Sequence, residues 1–174
     1  VNNRIKKLEA KQDPEFEDDL ISLKSFAQAL ERVSAEHFSK YQQLLTLISD
    51  KKAGFGWKPN KKDDRIVIFT ESIPTLEFLH QQLQVDLGLK PEQIGCLKGQ
   101  EMSDAELMQT VEEFGKEQSK LRLLVCSDVA SEGINLHYLS HKMIHFDIPW
   151  SLMVFQQRNG RIDRYGQTQQ PLIR

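Results

Sequence analysis

The stretch RIVIFTESIPTLEFLHQQLQVDLG, residues 65–88, contains two hydrophobic patterns in succession. Residues 66–70 form a short run of β-branched and aromatic side chains, which is typical of a buried strand. Residues 71–88 then carry leucines three or four positions apart, which predicts a helix with one apolar face. A strand that leads directly into a helix is the repeating unit of α/β proteins.

The same alternation continues toward the C-terminus. Three more apolar runs predict strands at 94–97, 121–126 and 142–148. Helices are predicted at 103–119, where Ser103 and Glu106 form an S-x-x-E capping box, and from Ser151 onward. This alternation indicates an α/β fold with a mainly parallel sheet and helices on both faces.

Ligands of open parallel sheets bind beyond the carboxyl ends of the strands. In this chain the predicted strands end at Thr70, at Ser127 and Asp128, and at Asp147. We therefore expect a binding site at this edge of the sheet.

The segment before the first predicted strand has a different character. Residues 1–19 change from basic to acidic across Pro14, which we interpret as a solvated linker. Apolar residues at helical spacing predict two helices within 20–50, with a break near Ser34. Glycine, proline, lysine and aspartate dominate residues 51–65, which indicates a loop.

Two domains follow from this division. We predict a helical lead-in and linker at 1–64 and a single α/β lobe at 65–174. Residues 171–174 have the pattern of a further strand, so we expect the lobe to be cut short at its C-terminus.

The composition limits the kind of protein. The 174 residues include 23 Lys and Arg against 25 Asp and Glu, a net charge of −2, which gives no global bias toward a polyanion. There is no apolar run long enough to span a membrane and no signal-peptide core, so we expect a soluble intracellular protein of the cytoplasm, nucleoid or nucleus. Cys96 and Cys126 lie in apolar runs, which favours small buried thiols over a bridge or a metal pair.

Arginines recur every three residues near the C-terminus, at Arg158, Arg161 and Arg164. If the helix from Ser151 continues to Arg164, they line one side of it. Arginine forks bind phosphate oxygens and stabilise the charge that develops in phosphoryl transfer. Gly160 weakens such a helix, which suggests that a ligand or another backbone comes close. The alternative is a solvated basic face.

The turn after the third predicted strand, residues 127–136, also has residues suited to a nucleotide. A small residue and Gly133 would let backbone amides approach a phosphate, and Asn135 could hydrogen bond to a ribose. An ordinary strand-to-helix turn would use the same residue types.

At this point the motifs resemble a known family. QRNGRIDR, residues 157–164, is similar to the Q-x-x-G-R-x-x-R signature called motif VI of superfamily-two helicases and translocases. The extension YGQ, residues 165–167, is similar to the R-I-G-Q ending of this motif in the Swi/Snf-type branch, which includes bacterial RapA. SDVASEGINL, residues 127–136, resembles its motif V, RIVIFT resembles motif IV, and HFDIPW, residues 145–150, resembles its D-x-P-W segment.

The resemblance covers residues 65–174 and implies a second RecA-like lobe, a three-layer α/β sandwich. It implies that Arg161 and Arg164 reach the γ-phosphate of ATP, with Mg²⁺. It places further nucleotide contacts at Gln157, Gly160, Gly133 and Asn135. It places residues that contact or brace the nucleic-acid backbone at Thr70, Lys98, Gly99, Ser127 and Asp128.

Two departures from the family matter. Members often carry an arginine on the helix at 103–114, and this chain has none there. Asn135 replaces the aspartate of DEAD-box relatives, although asparagine is usual in the Swi/Snf-type branch. There is also no P-loop, G-x-x-x-x-G-K-[ST], and no acidic box for Mg²⁺, because the only Gly-Lys pair, at 115–116, is followed by Glu117. The nucleotide would therefore be held chiefly by another lobe, and we expect this chain alone to be inactive.

The resulting hypothesis is the second lobe of an ATP-dependent, Swi/Snf-type translocase on double-stranded DNA. Its expected partners are DNA and the N-terminal RecA-like lobe of the same polypeptide, with no membrane. A non-catalytic helicase-like scaffold and a strand-separating helicase remain as alternatives.

Two other features favour structural roles. His137, His141 and His145 have metal-like spacing, but His145 falls in a predicted strand, so we expect no metal site. Trp57 could stack on a base, but we expect it to anchor its loop against the sheet.

Overall fold

A computed structural model describes residues 1–10, 16–31, 34–99, 102–128 and 134–174. The chain forms two compact units, Val1–Leu45 and Thr46–Arg174. The predicted domain boundary at 64/65 remains a prediction.

The first unit is helical. It contains α1 (Asn2–Glu9), α2 (Glu17–Glu31) and a 3₁₀ turn at Ala35–His37, and α3 (Ser39–Ser49) begins in it. The two helices predicted within 20–50 match α2 and α3. The linker interpretation of residues 1–19 is wrong for α1, because Leu8 is buried and Lys24 forms an ion pair with Glu9 at 2.7 Å.

The second unit alternates strands and helices as the sequence predicts. Its elements in order are β1 (Arg65–Phe69), α4 (Ile73–Asp86), β2 (Ile94–Leu97), α5 (Asp104–Gly115), β3 (Leu123–Cys126), β4 (Ser140–His145), α6 (Leu152–Asn159) and β5 (Leu172–Ile173). The residues predicted as a loop before β1 form turns, and the capping box of α5 is present.

The five strands form one parallel sheet in the order β2-β3-β1-β4-β5. Phe69 pairs with Cys126 on one side and with His145 on the other, so the strand ends are aligned. The predicted α/β, RecA-like fold class is confirmed.

Both faces of the sheet are buried. Val67 and Phe69 point into a cluster that includes Phe114 of α5 and Ile162. Their neighbours Ile66 and Ile68 point to the opposite face and are also fully buried. Because β1 to β2 and β2 to β3 cross the sheet in opposite directions, right-handed connections place α4 and α5 on opposite faces.

The last helix is shorter than predicted. Instead of reaching Arg164, α6 ends at Asn159, with Gly160 as its C-cap. The backbone then tightens, since Arg161 N donates to Arg158 O and Ile162 N donates to Asn159 O. Burial of Ile162 in the α5-side core, at 0% exposure, stabilises this turn over continuation of the helix.

None of the helices in the described ranges is long and apolar enough to cross a membrane.

Candidate functional site

The predicted binding edge brings three strand ends together. Thr70 N donates to Cys126 O at 3.0 Å, and Phe146 N donates to Phe69 O at 2.9 Å. Ser127 N donates to Leu97 O at 2.9 Å, which joins the end of β2 to the group. The sheet ladder thus extends one residue beyond β1, β3 and β4, and the polar residues at these ends hold fixed positions.

Arg158 lies buried beneath this edge, with 1% exposure. Its Nε donates to Asp128 Oδ1 at 2.5 Å and its Nη2 donates to Asp128 Oδ2 at 2.8 Å, a bidentate pair. Its Nη1 donates to the backbone oxygen of Asp147 at 2.8 Å. One guanidinium on α6 therefore holds residues that follow β3 and β4.

Asp147 extends the connection to β1. Thr70 Oγ1 donates to Asp147 Oδ2 at 2.5 Å, and Glu71 N donates to both carboxylate oxygens at 3.0 and 3.1 Å. Asp147 Oδ1 also lies 3.4 Å from Arg158 Nη2. Thr70 is fully buried, so its hydroxyl braces the edge and does not point into solvent.

The electrostatics of this cluster are balanced by its carboxylates. Burial by itself lowers the pKa of Arg158, but the hydrogen bond and charge of Asp128 and the charge of Asp147 outweigh it, so the pKa is raised. His145 stacks on Phe155 with ring centroids 4.6 Å apart, and its Nε2 lies 2.8 Å from Asn159 Oδ1. Burial, aided by the charge of Arg158, lowers the pKa of His145.

Arg161 and Arg164 lie on the turns after α6 and not on the helix face that the sequence predicts. Arg161 Nη1 donates to Ile134 O at 3.2 Å, and Arg164 Nη1 donates to Asn135 Oδ1. The structure thus brings both arginines to the segment that contains Asn135. Their role at a nucleotide stays a prediction. Gly133 lies outside the described residues.

Gln157 and Gly160 flank the arginines. Gln157 is exposed on α6. A Cβ at Gly160 would lie 3.5 Å from Gln156 O and 3.6 Å from Gln157 O, which is ordinary contact. Within the described chain no backbone approaches Gly160 closely, so a close approach there remains a prediction about a ligand or another lobe.

Lys98 and Gly99 follow β2 at the same edge. Lys98 Nζ donates to Glu77 Oε1 of α4 at 2.5 Å, and the Lys98 side chain is 25% exposed. Gly99 has a φ of +72°, a conformation that favours glycine. Ser127 is 2% exposed. Their roles at a nucleic-acid backbone remain predictions.

Two residues that shape this site make contacts that the sequence does not predict. The three-residue spacing places Arg158 with Arg161 and Arg164, yet its side chain points inward to the carboxylates. Gln167 Nε2 donates to the backbone oxygens of His137, Ser140 and Ile162 at 3.0 to 3.1 Å, which fixes the end of the arginine segment. The aspartates at both strand ends were the available signal for a buried arginine.

A groove of about 590 Å³ adjoins Asn135 on the α5 side. Its walls are mainly apolar and include Met108, Val111, Ile134 and Tyr138. Lys116, which also lines it, forms ion pairs with glutamates of α5. The groove therefore suits an apolar group better than a phosphate.

Trp57 has a structural role. Trp57 is 5% exposed and its Nε1 donates to Asp64 O at 2.9 Å, so it anchors its loop as predicted. Among the described residues, no three histidine, cysteine or acidic side chains are grouped to hold a metal ion. Cys126 is buried, which raises the pKa of its thiol, and Cys96 is half-buried.

The family model of the helicase conserved C-terminal domain matches residues 39–166, well over half of the chain. The chain belongs to this family. This helicase C-terminal domain is 31% identical over 159 residues to the uncharacterized ATP-dependent helicase YqhH of Bacillus subtilis (strain 168). The match covers 90% of the chain and 24% of that protein, so the chain spans about a quarter of its relative.

Two solved structures have the same fold. The C-terminal part of the Fun30 ATPase domain is similar with a TM-score of 0.59 and 20% identity, over 80% of this chain and 39% of that one. The Sulfolobus solfataricus SWI2/SNF2 ATPase C-terminal domain is similar with a TM-score of 0.50 and 22% identity, over 66% and 44%. The predicted C-terminal helicase lobe is confirmed by the family match, and the two structures show that its fold is shared. Its assignment to the Swi/Snf-type branch stays a prediction.

Proposed function

We propose that this helicase C-terminal domain is the second lobe of an ATP-dependent motor that moves along double-stranded DNA. The observation that carries the proposal is that Arg161 and Arg164 lie beside Asn135. Their segment follows Arg158, which bonds to Asp128 and Asp147 at the strand ends. Membership in the helicase C-terminal family supports it, and the Swi/Snf-like fold favours duplex DNA as the track.

The two arginines fit one end of a triphosphate. Each guanidinium presents forked N–H donors, and Arg164 is exposed, so it is accessible to a ligand from another lobe. Bound ATP with Mg²⁺ would supply the phosphoryl group that is transferred to water. Arg161 and Arg164 would stabilise the negative charge on that group, while Gln157, Gly160, Gly133 and Asn135 would line the nucleotide side.

The nucleic-acid side would lie at the carboxyl edge. Lys98 and Gly99 would approach the DNA backbone, and the buried Thr70 and Ser127, with Asp128, would hold the strand ends in place from below. Since Arg158 bonds to Asp128 and stands three residues before Arg161, movement of the arginine segment would be transmitted to this edge.

The proposal predicts a specific kinetic defect. In the full-length protein, Arg161→Ala should lower DNA-stimulated ATP hydrolysis by about 10³-fold or more, the scale of an arginine finger, while ATP affinity changes little. Steady-state hydrolysis with saturating DNA and binding of a fluorescent ATP analogue measure the two quantities.

Arg174→Ala is the matched control, because Arg174 is exposed and its guanidinium donates to the neighbouring backbone oxygen of Ile173. It should retain full hydrolysis. Unchanged turnover in Arg161→Ala would refute the assignment of this arginine to the transferred phosphate.

A further inference from the structure

The most basic segment of the chain lies away from the site described above. Residues 51–62, here called the lysine loop, contain five lysines and no acidic residue. By comparison, residues 150–174 contain four arginines and one aspartate. All five lysine side chains are exposed: Lys51, Lys52, Lys58, Lys61 and Lys62.

The lysine loop has a fixed backbone. Phe55 N donates to Leu47 O at 2.7 Å, and Trp57 N donates to Ile48 O at 2.9 Å, which ties the loop to the end of α3. Asp50 Oδ1 accepts from the backbone amides of Lys52 and Ala53 at 2.6 and 2.7 Å. The lysines are therefore presented from a defined surface.

Two glycines show how closely the loop is packed. A Cβ at Gly54 would lie 2.2 Å from Leu47 O, so only glycine fits at that position. Gly56 has a φ of +55°, which also favours glycine. The local sequence is thus adapted to hold this conformation.

The lysine loop keeps a net positive charge together with its acidic neighbours, because residues 50–64 contain five lysines and three aspartates, a net charge of +2. Asp64, which follows the loop, pairs inside the protein with Lys142 at 2.6 Å, and both side chains are 9% exposed. Across the described ranges, no ion pair joins a lysine of the loop to a carboxylate. The exposed lysine side chains are therefore accessible to an external anion.

The position of the loop separates it from the carboxyl edge. It precedes β1, and Asp64 contacts Lys142 near the start of β4, so it lies at the amino edge of the parallel sheet. The five residues of β1 place the two edges roughly 13 Å apart. One phosphate cannot contact both edges.

We propose that the lysine loop binds the phosphate backbone of a second stretch of nucleic acid, in addition to the track at the carboxyl edge. Protein–protein interfaces are depleted in lysine and have apolar centres, whereas nucleic-acid interfaces are strongly positive. The loop has the second character, because Trp57 is buried and Phe55 lies under Lys142. Because neither aromatic ring of the lysine loop is exposed, we expect the loop to contact phosphates and not to read bases.

The salt dependence of DNA binding tests this site. In the full-length protein without nucleotide, the affinity for a DNA duplex of about 30 base pairs would be measured by fluorescence anisotropy between about 50 and 200 mM salt. Replacing all five lysines with glutamine should reduce the slope of log K against log salt by about 0.9 for each lost phosphate contact, up to about 4.5. ATP hydrolysis without DNA should be unchanged.

Matched variants separate position from charge. Lys61→Gln with Lys62→Gln should lower the slope, whereas Lys116→Gln with Lys120→Gln should not, because those lysines already pair with glutamates. Replacing the five lysines with arginine should keep the slope. An unchanged slope in the five-fold glutamine variant would overturn the proposal, as would loop-dependent binding of polyglutamate without any change on DNA.

The outcome is independent of the arginine test. A reduced slope in the five-fold glutamine variant together with normal hydrolysis in Arg161→Ala would support nucleic-acid binding by the lysine loop and refute the assignment of Arg161 to the transferred phosphate. An unchanged slope together with lost hydrolysis would refute only the proposal for the lysine loop.

Discussion

Replacing Arg158 with alanine should destabilise the fold more than the loss of any exposed arginine. The change leaves the carboxylates of Asp128 and Asp147 without their cation, and this is costly because each side chain is only 25% exposed. Removing one partner of a buried ion pair costs about 3–5 kcal/mol, and the partial exposure of the aspartates places the expected cost near about 3 kcal/mol. The guanidinium also packs over Phe69, 5.5 Å from its ring centre.

Thermal denaturation of the 174-residue chain, followed by circular dichroism, measures this cost. A loss of about 3 kcal/mol corresponds to a fall in Tm of roughly 6–12 °C for a chain of this size. Arg158→Lys keeps the charge but loses the bidentate geometry, so its Tm should lie between that of the unsubstituted chain and that of Arg158→Ala. Arg174→Ala should change Tm by no more than about 2 °C. A similarly small change in Arg158→Ala would refute the role given to this arginine.

Two further predictions concern stability. Burial lowers the pKa of His145 from 6.5, so its contribution to stability is full above about pH 6.5 and falls as the pH drops below that value. In urea denaturation between about pH 7 and 5, the free energy of unfolding of His145→Gln should therefore fall less steeply with decreasing pH than that of the unsubstituted chain. An identical fall in both would contradict this reasoning. Gly54→Ala should lower the free energy of unfolding by about 1–3 kcal/mol in urea denaturation, because the new Cβ meets Leu47 O, whereas Gly115→Ala, with Tyr138 3.9 Å away, should not destabilise; equal behaviour would count against the steric argument.

The sequence predicted most strands because parallel strands are buried on both faces and therefore appear as continuous apolar runs. The run at 94–97 matches β2 in full. The strand order β2-β3-β1-β4-β5 had no local signal, since it depends on pairing between distant segments. The helix α1 was missed because its apolar positions are few, and Leu8 becomes buried only through the folded unit.

The candidate site was predicted in its location but not in its internal contacts. The strand ends at Thr70, Asp128 and Asp147 are joined as expected for a parallel sheet. The spacing of the arginines suggested one helix face, but the turn at Gly160 separates Arg158 from the other two. Because the partners of Arg158 lie 30 and 11 positions away, no local pattern could assign it to the interior.

The turn that carries Arg161 and Arg164 is anchored at both ends, by Arg158 on one side and by the three backbone oxygens that bind Gln167 on the other. Ordering a free backbone costs about 1–2 kcal/mol of conformational entropy per residue, whereas ordering an arginine side chain costs about 1.5–2 kcal/mol. Folding has already ordered the seven-residue backbone from Arg161 to Gln167. A ligand that meets these arginines therefore has to immobilise side chains only, so more of its interaction energy remains as affinity.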